Sequence, residues 1–207
     1  MRVIGLTGGI GTGKSEAAGV LSALGAAVID ADAEGHRAYA KGTIGWRRIV
    51  EIFSADLLDD NGEIDRRRLG ALVFASPQAL AWLNAAIHPL IRRRIIEALD
   101  ERREAGVDVA VVDAALLYQA GWNDLADEVW AVAASPAAVV ERLKLRGMSP
   151  DDIRRRLEAQ GQTEPLLARA DVIIDNSGSI EELGDRIRQL WRQRISPEGS
   201  AIHGRAD

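Results

Sequence analysis

The 207-residue sequence has no cysteine, no excess of positive charge and no long apolar run. The absence of cysteine excludes disulfide bonds and thiolate metal sites, and it permits a reducing compartment. The formal net charge of -5 argues against a protein that coats nucleic acid, because such a protein needs excess cationic charge to displace counterions. No apolar stretch is long enough for a secretory signal or a membrane span. We therefore expect a soluble, cytoplasmic protein without nucleic-acid or membrane partners.

Five short apolar runs, separated by segments with helical periodicity, indicate a parallel sheet. Because buried parallel strands and helices alternate along the chain, the pattern predicts an α/β fold with a doubly wound parallel sheet of about five strands. The predicted strands are Val3–Thr7, Ala27–Ile29, Val109–Val112, Val129–Ala133 and Val172–Ile174.

Three segments depart from this alternation. Residues 36–104 show helical patterns only, which predicts a helical insertion. Residues 142–165 are rich in arginine and interrupted by glycine and proline, which predicts a small, more mobile helical lid. Residues 196–207 lose all periodicity and are expected to be disordered. The predicted core is therefore made of residues 1–35, 105–141 and 166–195, and we expect no further domain.

A glycine-rich segment between the first strand and the first helix fits the phosphate-loop pattern GxxxxGK[ST]. Glycines allow successive backbone N–H groups to turn toward phosphate oxygens, and the following helix adds partial positive charge. The lysine is expected to reach the terminal phosphates of ATP, and the serine to ligate Mg²⁺. The segment consists of Gly8, Gly9, Ile10, Gly11, Thr12, Gly13, Lys14 and Ser15.

Acidic residues follow two other predicted strands. Asp113 ends the third strand, where it could hold Mg²⁺ beside the loop or simply serve as a cap. Asp30 and Asp32 leave the second strand two residues apart. Their side chains share a face if the strand continues and diverge if a helix starts between them. One of them could serve as the carboxylate that a kinase needs near its acceptor hydroxyl.

Arginines supply the cations that phosphoryl transfer requires. Arg142 and Arg146 lie one helical turn apart and could clamp phosphates, although a solvated helix face is an alternative. Runs of three adjacent arginines, such as Arg92–Arg94, cannot share one helix face and are expected to be mostly surface charge. A GTP-dependent switch is disfavoured because no asparagine is followed by lysine, and Asp59–Gly62 is better explained as a solvent-exposed turn.

Several strings, in their order along the chain, resemble the dephospho-CoA kinase family from Met1 to about Leu190. The opening Gly5–Ser15 is followed by Val28–Asp32, Asn61–Arg66, Val73-Phe74, His88-Pro89, Leu116–Tyr118, Arg142 to Arg146, Arg156 with Gln160, and Ala170–Gly178. The resemblance implies ATP-dependent, Mg²⁺-requiring phosphorylation of the 3′-hydroxyl of dephospho-CoA.

The resemblance also implies roles for individual residues. Asp32, Lys14 and Arg142 would be catalytic, and residues 36–104 would hold dephospho-CoA. Glu16, Arg146 and Asn176 would join the loop in binding nucleotide, with Asn176 facing adenine, while Ser15 and Asp113 would bind the metal. Substrate contacts would come from Asp32, His36, Arg37, His88, Leu116 and Leu117. From the residues alone, a helix start at Ser179, and a helix kink or restart at Pro89 with His88 as a cap, are alternatives.

Several positions depart from the family's usual pattern, among them Glu16, Ala115 and Gln119. Glu16 stands where threonine is common, and its charge repels phosphate although it suits a helix N-terminus. Ala115 and Gln119 stand where proline and glutamate are usual, and a glutamine cannot act as a base. Another small-molecule or nucleoside monophosphate kinase, and an ATP-binding module without catalysis, are the remaining hypotheses. A monomer or a weak homo-oligomer is expected.

Overall fold

The computed structural model describes residues 1–160 and 164–195. Residues 161–163 of the predicted lid, and the predicted disordered tail 196–207, lie outside the described residues. The strands are β1 (Arg2–Gly8), β2 (Ala27–Asp30), β3 (Val109–Asp113), β4 (Glu128–Ala133) and β5 (Val172–Asp175). The helices are α1 (Lys14–Ala23), α2 (Ala31–Ala38), α3 (Ile44–Phe53), α4 (Arg66–Ala75), α5 (Pro77–Glu104), α6 (Pro136–Leu145), α7 (Pro150–Gln160), α8 (Glu164–Leu167) and α9 (Ile180–Arg194). Single 3₁₀ turns occur at Ala55–Leu57 and Trp122–Leu125.

The five strands form one sheet in the order β2-β3-β1-β4-β5. Parallel pairing joins β2 to β3, with Asp30 opposite Asp113, and β4 to β5, with Ala133 opposite Asp175. The predicted doubly wound parallel sheet is therefore confirmed, and every predicted strand is found within one residue of its expected ends. Continuous apolar runs such as 109–112 form strands of this sheet because a parallel strand covered on both faces must be apolar throughout.

Two compact units divide the chain. The first contains residues 1–5 and 27–127, and the second contains residues 6–26 together with the chain from residue 128 onward. The first unit thus joins β2 and β3 to all the helices of the predicted insertion, because α5 packs against both strands. The predicted division into core, insertion and lid follows different boundaries and stays a prediction.

Helix α5 runs without interruption through Pro89, so of the two expectations for this position, a kink or a restart capped by His88, the restart is wrong. Proline inside a helix costs about 3 kcal/mol. The helix nevertheless buries Ile87, Ile91 and Ile95 on one side, and each buried side chain of this kind contributes about 1.5–3 kcal/mol. Burial on both sides of Pro89 therefore outweighs the cost of the proline, and the helix begins instead at Ser76, whose side chain caps it.

In the second unit, the predicted lid begins within a helix. Helix α6 continues to Leu145, beyond the expected boundary at residue 142, and Gly147 turns the chain with a φ of 80° before α7. Ile153 of α7 is buried against Val139 and Leu143 of α6. The two helices consequently share a small apolar core.

The segment Asp59–Gly62 forms an exposed turn, as expected. The Asp59 carboxylate accepts hydrogen bonds from the backbone N–H groups of Asn61 and Glu63, both at 2.9 Å. Gly62 has a φ of 74°, a conformation that favours glycine. The turn closes a short antiparallel bridge between Leu58 and Ile64 and does not follow a strand of the sheet.

Candidate active site

The glycine-rich loop lies between β1, which ends at Gly8, and α1, which begins at Lys14. The Thr12 hydroxyl donates a hydrogen bond of 2.8 Å to the Gly9 carbonyl, and the Thr12 N–H donates to the same oxygen at 3.3 Å. Gly11 and Gly13 have φ values of 74° and 95°, which residues with a Cβ atom rarely adopt. The loop is therefore folded by its own glycines and by one internal side chain.

Two glycines of the loop are also required by close packing. A Cβ atom at Gly8 would lie 2.8 Å from both the Thr12 hydroxyl and the Val132 carbonyl oxygen. A Cβ atom at Gly13 would collide with the side-chain amide nitrogen of Asn176. The space around the loop is thus already filled by backbone and buried side chains.

The side chains of Asn176 and Arg142 both donate hydrogen bonds to the loop backbone. The Asn176 side-chain amide is buried and donates a hydrogen bond of 2.8 Å to the Thr12 carbonyl. The Arg142 guanidinium makes longer contacts of 3.3–3.4 Å with the carbonyls of Thr12 and Gly178 and with the Asn176 side-chain oxygen. Both residues were expected near nucleotide, but their contact with the loop backbone is not predictable from the sequence, because no spacing rule connects positions 12 and 176.

The turn that carries Asn176 is fixed by Asp175 at the end of β5. The hydroxyl of Ser177 donates to the Asp175 carboxylate at 2.6 Å, and Arg186 lies 3.1 Å from the same group. The Ser177 hydrogen bond, followed by that from Arg186, lowers the pKa of Asp175 below its usual value. Helix α9 then begins at the Ser179 cap. The cap expected from the sequence is therefore confirmed.

Glu16 and Arg146 form an ion pair beside the loop. An Arg146 guanidinium nitrogen lies 3.4 Å from Oε1 of Glu16. The second carboxylate oxygen of Glu16 is buried and has no hydrogen-bond partner in the part of the chain that the structure describes. The charge of Glu16 is thus partly neutralised by one of the two arginines that the sequence analysis singled out.

These residues line one cleft of about 400 Å³ within the second unit. Its apolar wall includes Leu145 and Ile180, whose side chains are 82% and 59% exposed. Exposed apolar side chains beside a guanidinium form a surface on which a flat heteroaromatic ring can stack. The remaining lining residues are Gly13, Glu16, Arg142, Arg146, Asn176, Gly178 and Leu183.

In the first unit, carboxylates gather where β2 and β3 end. Asp30 and Asp113 are paired across the two strands, and Asp113 is buried. Helix α2 begins immediately after Asp30, whose carboxylate caps it by accepting from the N–H groups of Asp32 and Ala33 at 2.9 and 3.0 Å. Of the two alternatives left open by the sequence, the helix start is the one observed. Asp30 is therefore a structural cap, whereas Asp32 is exposed to solvent.

His36 and Arg37, both predicted substrate contacts, line different clefts of the first unit. His36 packs edge-on against Tyr39, in a cleft of about 670 Å³ that also includes Arg66. Arg37 pairs with Glu34 and lines a cleft of about 460 Å³ that contains Arg94 and Arg102. His36 is four residues after Asp32 and so lies on the same side of α2 as the proposed base.

The other predicted substrate contacts are in different environments. His88 is half-buried against the ring of Trp122, and this burial lowers the pKa of His88. Leu116 is about half exposed. Leu117 is completely buried, so its predicted substrate contact is corrected to a position in the apolar core.

The arginine run 92–94 is more structured than expected. Arg92 binds Asp124 through two hydrogen bonds of 2.9 and 3.1 Å, and Arg94 pairs with the buried Glu34 at 2.8 Å. Arg93 pairs with the exposed Glu97. The expectation that most of these arginines are surface charge fits Arg93, and Arg94 is an exception because its partner Glu34 is buried.

Comparison with known families identifies the chain. The family model described as dephospho-CoA kinase matches residues 2–182. The chain belongs to the dephospho-CoA kinase family. A dephospho-CoA kinase of Geobacter sulfurreducens is 45% identical over 94% of this chain and 100% of its own length. One from Streptomyces avermitilis is 44% identical over 94% of this chain and 95% of its own length.

Solved structures agree with this family assignment. A dephospho-CoA kinase from Campylobacter jejuni is 26% identical, has a TM-score of 0.70 and is matched over 93% of this chain and 97% of that one. Shikimate kinase from Acinetobacter baumannii is 14% identical, with a TM-score of 0.55 and coverage of 96% and 95%. At that identity the shikimate kinase shares only the fold.

The described residues contain neither a membrane-spanning helix nor a cluster of metal-binding side chains. None of their helices combines the length and the apolar character that crossing a membrane would require. Across residues 1–160 and 164–195, no three histidine or acidic side chains come together as a metal-binding group.

Proposed function

We propose that this protein transfers the γ-phosphoryl group of ATP to the 3′-hydroxyl of the ribose of dephospho-CoA, giving coenzyme A and ADP. The observation that carries the proposal is the family match over residues 2–182. In addition, the similarity to the Geobacter sulfurreducens dephospho-CoA kinase extends over the full length of that protein. The ordered loop between β1 and α1 supports the same conclusion, because it is the element that binds a triphosphate in kinases of this fold.

On the nucleotide side, the backbone N–H groups around Gly11 and Gly13 would bind phosphate oxygens, and Lys14 would reach the β- and γ-phosphates. Arg142 would stabilise the charge that develops on the transferring group. Its contacts with the carbonyls of Thr12 in the loop and of Gly178 hold its guanidinium close to the phosphate-binding backbone. These groups are oriented before the nucleotide arrives, so little reorganisation is needed.

The adenine ring of ATP would occupy the cleft of about 400 Å³. Leu145 and Ile180 would supply apolar contact with the ring. Asn176 would border the ring, with its amide already bonded to Thr12. Arg146 would contribute positive charge beside Glu16.

On the acceptor side, Asp32 is the proposed base. Its carboxylate would accept the proton of the ribose 3′-hydroxyl as that oxygen attacks the γ-phosphorus, while the bond from the γ-phosphorus to the bridging oxygen breaks and ADP leaves. Asp32 is exposed at the start of α2, so a substrate hydroxyl can approach it. The helical block 36–104 would hold the rest of dephospho-CoA, with His36, Arg37, His88 and Leu116 as candidate contacts.

Magnesium would be held by the Ser15 hydroxyl and the Asp113 carboxylate together with phosphate oxygens. Mg²⁺ in phosphoryl-transfer sites takes one or two protein oxygen ligands and keeps waters and phosphates as the rest, so the donor types fit without a cluster of three acidic side chains. When bound, it neutralises charge on the phosphates.

Several broader expectations belong to the same proposal. The segment 142–165 would act as a lid that excludes water from the transferring phosphoryl group. We also propose that the protein works in the cytoplasm as a monomer or weak homo-oligomer, without nucleic acid. Size-exclusion chromatography with light scattering tests the oligomeric state.

The proposed reaction is tested by a coupled ADP-release assay with ATP and Mg²⁺. Dephospho-CoA is compared with AMP, adenosine and shikimate as acceptors, and the product is checked by mass spectrometry. Turnover with dephospho-CoA alone supports the proposal. Turnover with another acceptor keeps the kinase and contradicts the acceptor, and ATP binding without turnover indicates a nucleotide-binding module without catalysis.

A further inference from the structure

A buried carboxylate lies outside the residues assigned above. Glu34 of α2 is only 7% exposed. Its Oε2 accepts a hydrogen bond of 2.8 Å from Nε of Arg94 on α5, and its Oε1 pairs with Arg37, three residues further along α2. Burying a carboxylate is costly unless both oxygens are paired. The two arginines meet this requirement, so Glu34 ties α2 to α5 through charge-assisted hydrogen bonds.

A close backbone approach accompanies this ion pair. A Cβ atom at Gly35 would lie 3.3 Å from the terminal methyl carbon of Ile91, so the glycine allows α2 to pack tightly on α5. Asp30 fixes the start of the same helix by capping it. Helix α2 has only eight residues, too few to be stable without such tertiary contacts. Its orientation is therefore set by the contacts at Asp30, Glu34 and Gly35.

The position of Glu34 determines where Asp32 points. A separation of two residues in an α-helix corresponds to a rotation of about 200° about the helix axis. The side chains of Asp32 and Glu34 therefore leave opposite sides of α2. Glu34 faces α5, and Asp32 is exposed on the other side. A rotation of α2 that released Glu34 from Arg94 would turn the Asp32 carboxylate by the same angle.

We propose that Glu34 is a positioning residue for phosphoryl transfer. By binding Arg94, Glu34 fixes the rotation of α2 and thereby the direction of the Asp32 carboxylate. This inference rests on the proposed function, because it takes Asp32 as the base. A misplacement of about 1 Å at a reacting group can lower a rate by about 10²-fold, so a loosened helix is expected to affect turnover more than binding.

The first test is Glu34→Gln, which keeps the size of the side chain and removes its charge. We expect kcat with dephospho-CoA to fall about 10- to 100-fold, while the KM and the dissociation constant for ATP stay unchanged. Arg94→Gln removes the same ion pair by changing its more exposed partner, whose side chain is 37% exposed. This variant carries the test if Glu34→Gln does not fold. Asp185→Asn is the matched control, because its ion pair with Arg188 on α9 is exposed and lies outside this contact.

A double-mutant cycle separates positioning from a general loss of stability. If Glu34 acts through Asp32, Glu34→Gln should cause little further loss in an Asp32→Asn background, measured by single turnover. An equal fold-loss in both backgrounds, or full kcat in both Glu34→Gln and Arg94→Gln, would overturn the inference. Failure of the unchanged protein to phosphorylate dephospho-CoA would instead contradict the proposed function, so the two failures are distinguishable.

Discussion

The two compact units hold their candidate functional groups by different means. In the second unit, the loop from Gly8 to Ser15 is shaped by backbone conformation, and buried Asn176 fills the space beside it. In the first unit, the proposed base Asp32 stands exposed on a short helix that is held by side-chain ion pairs. Phosphate is bound by backbone N–H groups whose geometry permits few sequences. The acceptor substrate is contacted by side chains instead, and many different packing arrangements can hold a side chain in place.

Among the substitutions that test these two units, the largest effect on turnover is expected for the proposed base. Asp32→Asn should lower kcat with dephospho-CoA by about 10²- to 10⁴-fold while leaving ATP affinity nearly unchanged, because the amide cannot accept the hydroxyl proton. Steady-state ADP release and an ATP titration measure the two quantities. Asp108→Asn, an exposed change in the same unit and outside the block 36–104, is the control and should have no effect. Unaltered turnover in Asp32→Asn would remove Asp32 from the mechanism.

On the loop side, Lys14→Ala should reduce turnover by about 10²- to 10³-fold and should also weaken ATP binding. Both quantities change because Lys14 would contact the phosphates in the bound state and in the transition state. Isothermal titration with ATP and the ADP-release assay test this. The exposed Lys144 provides the matched Lys144→Ala control. Normal ATP binding and turnover in Lys14→Ala would contradict the assignment of the phosphate loop.

A backbone change should have a smaller effect that reveals the rigidity of the loop. Gly13→Ala places a Cβ atom against Asn176 at a φ of 95°, and strain of this kind costs about 1–3 kcal/mol. We expect ATP affinity to fall about tenfold, measured by titration. Gly19→Ala in α1 is the control, because no atom lies within 4 Å of the added Cβ, and it should stabilise the fold by about 0.5–1 kcal/mol. Equal ATP affinity for both variants would show that the Asn176 contact is not rigid.

The smallest effect is expected at the cleft margin. Glu16→Gln removes a negative charge beside the proposed phosphate site and releases Arg146 from its ion pair. A half-exposed pair of this kind contributes about 0.2–1 kcal/mol, so ATP affinity should rise by at most about fivefold. The gain should shrink at high salt because screening weakens the charge effect. Exposed Glu141 on α6 supplies the Glu141→Gln control, and a loss of affinity in Glu16→Gln would show that Glu16 supports the nucleotide.

Local patterns predicted most of the secondary structure but failed where tertiary contacts compete with them. Pro89 indicated a helix kink or restart, yet buried isoleucines on both sides keep α5 continuous. Arg94 belonged to a run expected to be solvated, yet one of its neighbours in space is the buried Glu34. In both cases a contact between residues distant in sequence outweighed a local preference.

The sequence by itself determined the five-stranded parallel sheet, the phosphate loop and the family. Each depends on short-range chemistry: apolar runs, glycines at fixed spacing, and strings that occur in a fixed order. Only the tertiary structure decided that Asp30 caps a helix while Asp32 stays exposed, that Asn176 and Arg142 bind the Thr12 carbonyl of the loop, and that Glu34 joins α2 to α5. These outcomes depend on which side chains meet after the chain has folded, and that is set by packing and burial over the whole molecule.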